Sequence, residues 1–321
     1  MSYWRSIMPV FLFPGQGAQF SGMGMDLYNA DANGSLGIRA LFDTASSVLS
    51  RDIKEILNSD DEILKRTDIS QPAITVVSLA AALYLQNRQV VPLACAGFSL
   101  GEFPALAISG VITLEDAIRL TAERGKIMQA ACDSLLEKSS VPPGMMAVLG
   151  LSPEQIDLVL TGFSGVDLFA ANYNSPKQTV VSGTANALSL AEEEFKKAGA
   201  KRVIRLKVSG PFHSPLMQDA ANKFSQVLDG FKFADPVLPL FSNVTGGRVA
   251  SGTEAKKNAV LHISNPVRWT TEEAAIASLM AEKSEDTLIE VGPGKVLTGL
   301  WRDSGQSGSS VPYTDYIQAP A

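Results

Sequence analysis

Residues 90–109 read VVPLACAGFSLGEFPALAIS. An apolar run over 90–96 leads into Gly97-Phe98-Ser99-Leu100-Gly101, and residues 102–108 continue with helical character as far as Gly110. The run reads as a buried strand, the pentapeptide as a tight turn and the remainder as a helix. Gly-x-Ser-x-Gly between strand and helix is the nucleophile-elbow pattern. The turn lifts the serine hydroxyl clear of the backbone, and small neighbours let the two segments approach closely. The helix N-terminus aims N–H groups at a developing oxyanion. Five residues alone serve equally well as a Gly-rich connection with an incidental serine. The strand before and the helix after favour Ser99 as a nucleophile.

Working outward, PVFLF (9–13) ends at Pro14-Gly15 and reads as a second buried strand followed by a turn. Residues 71–88 read as a helix with Pro72 near its first turn, and Thr113-Leu-Glu-Asp116 caps a helix through about Ala131. Strands over 237–241 and 286–291 follow later, the last leading through Gly292-Pro293-Gly294 into a helix. This alternation predicts an α/β fold: an α/β-hydrolase-like large domain whose mostly parallel sheet carries helices on both faces. The middle differs. Strands over 145–150, 167–173, 178–182 and 201–208 enclose a helix capped by Ser152-Pro153-Glu154 and another over 184–198. The order β-α-β-β-α-β is that of a ferredoxin-like domain. The expected organisation is a large catalytic domain, 1–141 and 209–321, with a small inserted domain, 142–208, hinged at Ser-Ser-Val-Pro-Pro-Gly (139–144). From Gly305 the tail is Gly/Ser-rich and expected to be loosely held.

The chain has 321 residues, 45% of them hydrophobic and 19% charged, which is ordinary globular composition. A net charge of −6 argues against a nucleic-acid partner, so an acidic partner would need a local basic patch. The two cysteines, Cys95 and Cys132, form no C-x-x-C pair, which points away from zinc or a redox dithiol and towards a reducing cytosol. The N-terminal apolar stretch is too short for a signal peptide, and no run approaches the roughly 20 apolar residues of a membrane span. A cytoplasmic protein with no membrane partner is expected. The oligomeric state is left open, with a monomer as the working expectation.

A serine nucleophile needs a base, and the chain has only His213 and His262. His213 lies in the Gly/Pro-rich loop SGPFHSPL (209–216), which favours it; His262 lies in a predicted helix before Asn265-Pro266. The turn Pro14-Gly15-Gln16-Gly17 can offer a backbone N–H to an oxyanion or can be a plain connection. Arg124, on the helix after the elbow helix, can fork onto a carboxylate, although a surface pairing with Glu123 or Asp116 is the commoner reading. Gly292-Pro-Gly-Lys295 lacks the P-loop spacing and reads as a structural turn. Alternation over 201–208 sets Lys201, Arg205 and Lys207 opposite Ile204, Leu206 and Val208, a solvated strand face or a docking patch for an acidic partner.

Together these segments resemble the malonyl-CoA:acyl carrier protein transacylase family over about residues 9–300. The resemblance is carried by FPGQGAQ (13–19), GFSLGE (97–102), RGKIMQ (124–129), NYNSPKQTVVSG (172–183), PFHSPLM (211–217), SNPVRW (264–269) and EVGPGKVLTGL (290–300), in the family's order. It implies that Ser99 attacks the malonyl thioester of malonyl-CoA while His213 takes its proton. The N–H groups of Gln16 and Leu100 would form the oxyanion hole, and Arg124 would clamp the free malonyl carboxylate. Asn172 and Asn174 would line the cleft, and the phosphopantetheine thiol of acyl carrier protein would attack the acyl-enzyme in a ping-pong cycle. No metal or redox cofactor is implied. Phe98 stands where the family usually has His, beside the nucleophile. His262 stands where the family usually has Gln, a position whose backbone carbonyl orients the catalytic histidine. Phe212 matches malonyl-selective members, whereas methylmalonyl-selective relatives carry a small Ser there. A stand-alone acyltransferase of a polyketide synthase would use the same residues; a serine thioesterase or hydrolase would have no use for the arginine clamp.

Overall fold

The computed structural model describes residues 8–137 and 141–317. Its strands are β1 (Val10–Phe13), β2 (Ala94–Gly97), β3 (Gly144–Leu149), β4 (Leu168–Ser175), β5 (Gln178–Gly183), β6 (Arg202–Arg205), β7 (Phe241–Ser242), β8 (Gly247–Arg248), β9 (Thr287–Glu290) and β10 (Ser309–Pro312). The first sheet is wholly parallel in the order β10-β9-β1-β2. Both faces of β1 and β2 are buried, which is why these strands read as unbroken apolar runs rather than alternating ones. One face meets the helix Thr67–Asn87 and the other the helix Trp269–Lys283. Leu240 adds a parallel bridge to Cys95 beyond β2.

The second sheet is antiparallel in the order β4-β5-β3-β6, the ferredoxin-like arrangement. The helices Pro153–Thr161 and Ala185–Lys197 cover one face, where Met146, Val148 and Val181 pack with Ile156 and Phe195. On the opposite face Met145, Ala147, Ala171 and Val180 join the core of the large unit. The two units are also stitched through backbone: Tyr173 N–H donates to the Val267 carbonyl at 2.9 Å, and Val267 N–H to Ala171 at 2.8 Å. The cleft between them is thus walled by β4 and β5 on one side and by the ends of β1 and β2 on the other.

Several expectations are corrected. The long helix begins at Thr67, so Pro72 lies inside it rather than at its start. By length and composition alone that helix is apolar enough to cross a membrane, but it is mostly buried as a core element between the sheet and its neighbours. Strand β2 starts only at Ala94, and the helix opened by Thr113 runs on to Glu137. The chain leaves the sheet after Arg205, so the proposed two faces of 201–208 do not form: Val203 packs inward while Ile204 and Val208 are 44% and 37% exposed. The Gly/Ser-rich tail is held, since β10 pairs along β9 and the buried Tyr313 donates its hydroxyl to Asp26 at 3.2 Å. Part of the expected hinge, residues 139 and 140, lies outside the described residues.

Candidate active site

The elbow is built by close approach. A Cβ on Gly97 would sit 2.0 Å from the Gly101 carbonyl oxygen, and one on Gly101 would sit 2.0 Å from the Phe13 carbonyl oxygen. Only glycine fits either place, because the obstructing atoms are backbone and cannot swing aside. Ser99 itself takes a left-handed φ of 50°, which costs a non-glycine residue about 1–2 kcal/mol. It heads a short 3₁₀ turn, Ser99–Gly101, that runs into the helix Glu102–Ile108. Leu100 is the second residue of that turn, so its N–H has no acceptor within it. The loop after β1 presses on the same turn: a Cβ on Gly15 would meet the Phe98 carbonyl oxygen at 2.5 Å, which sets Gln16 beside the elbow. Gly101→Ala is expected to cost about 3 kcal/mol or more, read as a lowered midpoint of thermal unfolding.

His213 also has a left-handed φ, 57°, in its loop. Its Nε2 lies 2.9 Å from Ser99 Oγ, and its Nδ1 lies 2.7 Å from the backbone carbonyl of His262. A carbonyl can only accept, so Nδ1 carries the proton and Nε2 offers its lone pair to the serine hydroxyl. Burial, helped by the Arg124 charge, pushes the imidazole down to about 4, which leaves it neutral, with its Nε2 lone pair free, at physiological pH. The third member of the triad is a peptide carbonyl, so the identity of residue 262 matters little to it. The His262 ring lies behind His213, stacked at 5.7 Å between centroids, and does not reach the cleft.

Arg124 reaches the cleft from the helix Leu114–Glu137 and is wholly buried. Its Nη2 lies 3.5 Å from His262 Nε2, while Nε and Nη1 have no hydrogen-bond partner. The surface pairing considered from sequence is not made: Glu123 binds Lys126 at 2.7 Å instead. Burial lowers the guanidinium to about 9, so it remains charged at neutral pH. A buried cation with two idle donors is costly unless an anion completes it. The cleft, about 260 Å³, also receives Gln16, Phe98, Asn172, Asn174, Phe212 and His213. Of the site residues expected from the sequence, Ser99, His213, Gln16, Arg124, Asn172, Asn174 and Phe212 line this cleft, Leu100 follows Ser99 in the turn, and His262 meets His213 through its backbone carbonyl.

Residues 10–317 match the acyl transferase domain family. The chain belongs to that family. It is 37% identical over 311 residues to a malonyl CoA-acyl carrier protein transacylase of Bacillus subtilis, covering 95% of this chain and 93% of that protein. A crystal structure of an acyl carrier protein S-malonyltransferase from Vibrio cholerae superposes with a TM-score of 0.86 at 33% identity, covering 96% of this chain and 99% of that one. A type II PKS acyl-carrier protein in complex with its malonyl-transacylase is matched with a TM-score of 0.84 at 36% identity, covering 95% of each chain.

Three features of this acyl transferase escaped the sequence reading. Phe98 packs edge-to-face on Trp269, with 5.4 Å between centroids, so the unusual aromatic is absorbed by a neighbour. The turn Gly292-Pro293-Gly294 is structural as expected, but it also abuts the Pro14 loop: a Cβ on Gly292 would meet Pro14 Cγ at 2.6 Å. Val296 and Leu300, just after it, line the cleft. Beneath the elbow lies a buried polar group, Glu102, Asn243 and Glu272. Glu102 was visible within GFSLGE without a role; Asn243 and Glu272 carried no local signal.

Proposed function

We propose that this enzyme moves the malonyl group of malonyl-CoA to the phosphopantetheine thiol of an acyl carrier protein, supplying fatty acid synthesis. The observation that carries this reading is the buried, half-unpartnered Arg124 sharing a cleft with the Ser99–His213 pair. Ser99 Oγ attacks the thioester carbonyl while His213 Nε2 takes its proton. The N–H groups of Gln16 and Leu100 hold the oxyanion. The tetrahedral adduct collapses, the C–S bond breaks, and the imidazolium protonates the departing CoA thiolate. The carrier thiol then enters by the same steps reversed: His213 takes its proton, the thiolate attacks the malonyl ester, and Ser99 Oγ leaves with the proton returned. Arg124 pairs with the malonyl carboxylate throughout, and Asn172 and Asn174 face the acyl group from β4. The cycle calls for no metal or redox cofactor.

The test is intact-protein mass spectrometry. Malonyl-CoA is expected to add one malonyl group at Ser99, and carrier protein to remove it; a stable acetyl adduct with no malonyl adduct would overturn the specificity. Phe212 is buried against the cleft, so Phe212→Ser is expected to raise methylmalonyl-CoA turnover relative to malonyl-CoA about 10-fold, the scale of one extra carbon in a pocket. A polyketide pathway is the alternative destination, favoured by the likeness to the type II PKS transacylase complex. We place the enzyme in the cytoplasm, in keeping with its two free, buried cysteines, and as a monomer. We divide the chain into a large catalytic domain, 1–141 and 209–321, and a small ferredoxin-like domain, 142–208, which share the cleft.

A further inference from the structure

Asn243 is fully buried beneath the nucleophile, and all four of its polar groups are engaged. Its side-chain Oδ1 accepts the Ser99 N–H. Its Nδ2 donates to the Gly97 carbonyl at 2.6 Å and to Glu272 Oε2 at 2.9 Å. Its backbone N–H donates to Glu102 Oε2 at 3.0 Å, and its carbonyl accepts from Arg268 N–H at 2.9 Å. A C=O and an N–H two residues apart are the groups a parallel strand presents to one residue of its neighbour. Upstream, that neighbour is backbone, since Cys95 N–H donates to the Pro239 carbonyl at 2.9 Å. At the elbow the Asn243 side-chain amide takes its place opposite Phe98.

We propose that Asn243 is the positioning residue of the nucleophile: its amide caps the end of β2, holds Ser99 in the left-handed conformation and removes the Ser99 N–H from the oxyanion site. Strained backbone persists only where surrounding groups over-determine it. Here two hydrogen bonds grip the turn on either side of Phe98, and Glu102 and Glu272 hold the grip in place. The consequence is chemical as well as structural. With the Ser99 N–H committed, the amide left at this turn for an oxyanion is that of Leu100. The polarity is dictated from both sides, because Gly97 presents an acceptor and Ser99 a donor. Aspartate, of the same shape, would set an oxygen against the Gly97 carbonyl.

This inference rests on Ser99 being the nucleophile, and the experiment separates the two. The rate of Ser99 modification is measured by intact mass for wild type, Asn243→Asp and Asn243→Ala, with malonyl-CoA and in parallel with a serine-directed fluorophosphonate. Both variants are expected to lose about 100-fold or more in the rate of acylation, the scale of a misplaced reacting atom, with KM for malonyl-CoA within about threefold of wild type. A loss under about threefold, or one carried by KM, would overturn the proposal. If wild type takes the fluorophosphonate but not malonyl, the malonyl reading fails while the fluorophosphonate rates still decide the role of Asn243. Should a variant be recovered unfolded, wild-type hydrogen exchange decides. The Ser99 amide is expected to exchange far more slowly than that of Leu100, and equal rates would dismiss the grip.

Discussion

Arg124→Ala is expected to lower kcat/KM for malonyl-CoA about 1,000-fold while leaving acetyl-CoA unchanged or better. Removing one partner of a buried, hydrogen-bonded charge pair costs about 2–5 kcal/mol, largely because the other charge is left unpaired. On the proposed reading the other charge is the substrate's carboxylate, which would enter the cleft with no counter-ion. At about 1.4 kcal/mol per decade the range spans one and a half to nearly four orders of magnitude. An acetyl group brings no charge, so it loses nothing and gains a less polar wall. Arg124→Lys should fall between, since it keeps a charge and loses the fork. The free enzyme supplies an independent check. Arg124 is buried with Nε and Nη1 idle, so Arg124→Met, which fills similar space without a charge, is expected to raise the thermal midpoint even as malonyl transfer collapses. Competition between malonyl-CoA and acetyl-CoA in one reaction measures the selectivity directly. An unchanged ratio in Arg124→Ala would remove the clamp from the mechanism.

The contrast between what the sequence shows and what it hides follows from how each feature is encoded. Gly97 and Gly101 are legible because a 2.0 Å approach between backbone atoms admits one residue type only. The parallel sheet is legible because strands buried on both faces must be continuously apolar. The ferredoxin-like unit is legible in its element order, although β6 ends early and Ile204 and Val208 turn out to be exposed. The tail misleads because its Gly and Ser residues describe local freedom, whereas β10 is ordered by pairing along β9, a contact with no local signature. Arg124 shows the same limit in the site. Nothing within a few residues of it separates a surface ion pair from a buried clamp; burial by distant elements decides. Asn243 is the extreme case, since its partners Gly97, Ser99, Glu102 and Glu272 come from two distant stretches and meet it only in the fold.

His213→Ala is expected to reduce kcat/KM about 10,000-fold, the upper range for a general base, with little change in KM. In wild type Nε2 lies within hydrogen-bond distance of Ser99 Oγ, and no other described side chain bonds that hydroxyl. The pH profile carries the sharper statement. The imidazole must be neutral to accept the proton, and both burial and the nearby guanidinium disfavour its charged form, holding it at about 4 rather than the usual 6.5. The acid limb of kcat/KM, which reports the free enzyme, should therefore fall near pH 4, and activity should stay flat from neutrality down to about pH 5.5. A malonyl carboxylate seated on Arg124 cancels part of that repulsion. The limb of kcat, which reports the loaded enzyme, is then expected at higher pH than the limb of kcat/KM. Arg124→Ala should move the kcat/KM limb upward for acetyl-CoA by the same logic, although burial, the larger cause, will keep it below 6.5. A limb found at 6.5 in wild type would mean that His213 is solvated in the working enzyme. The buried dyad, with a carbonyl as its third member, would then not be the state that reacts.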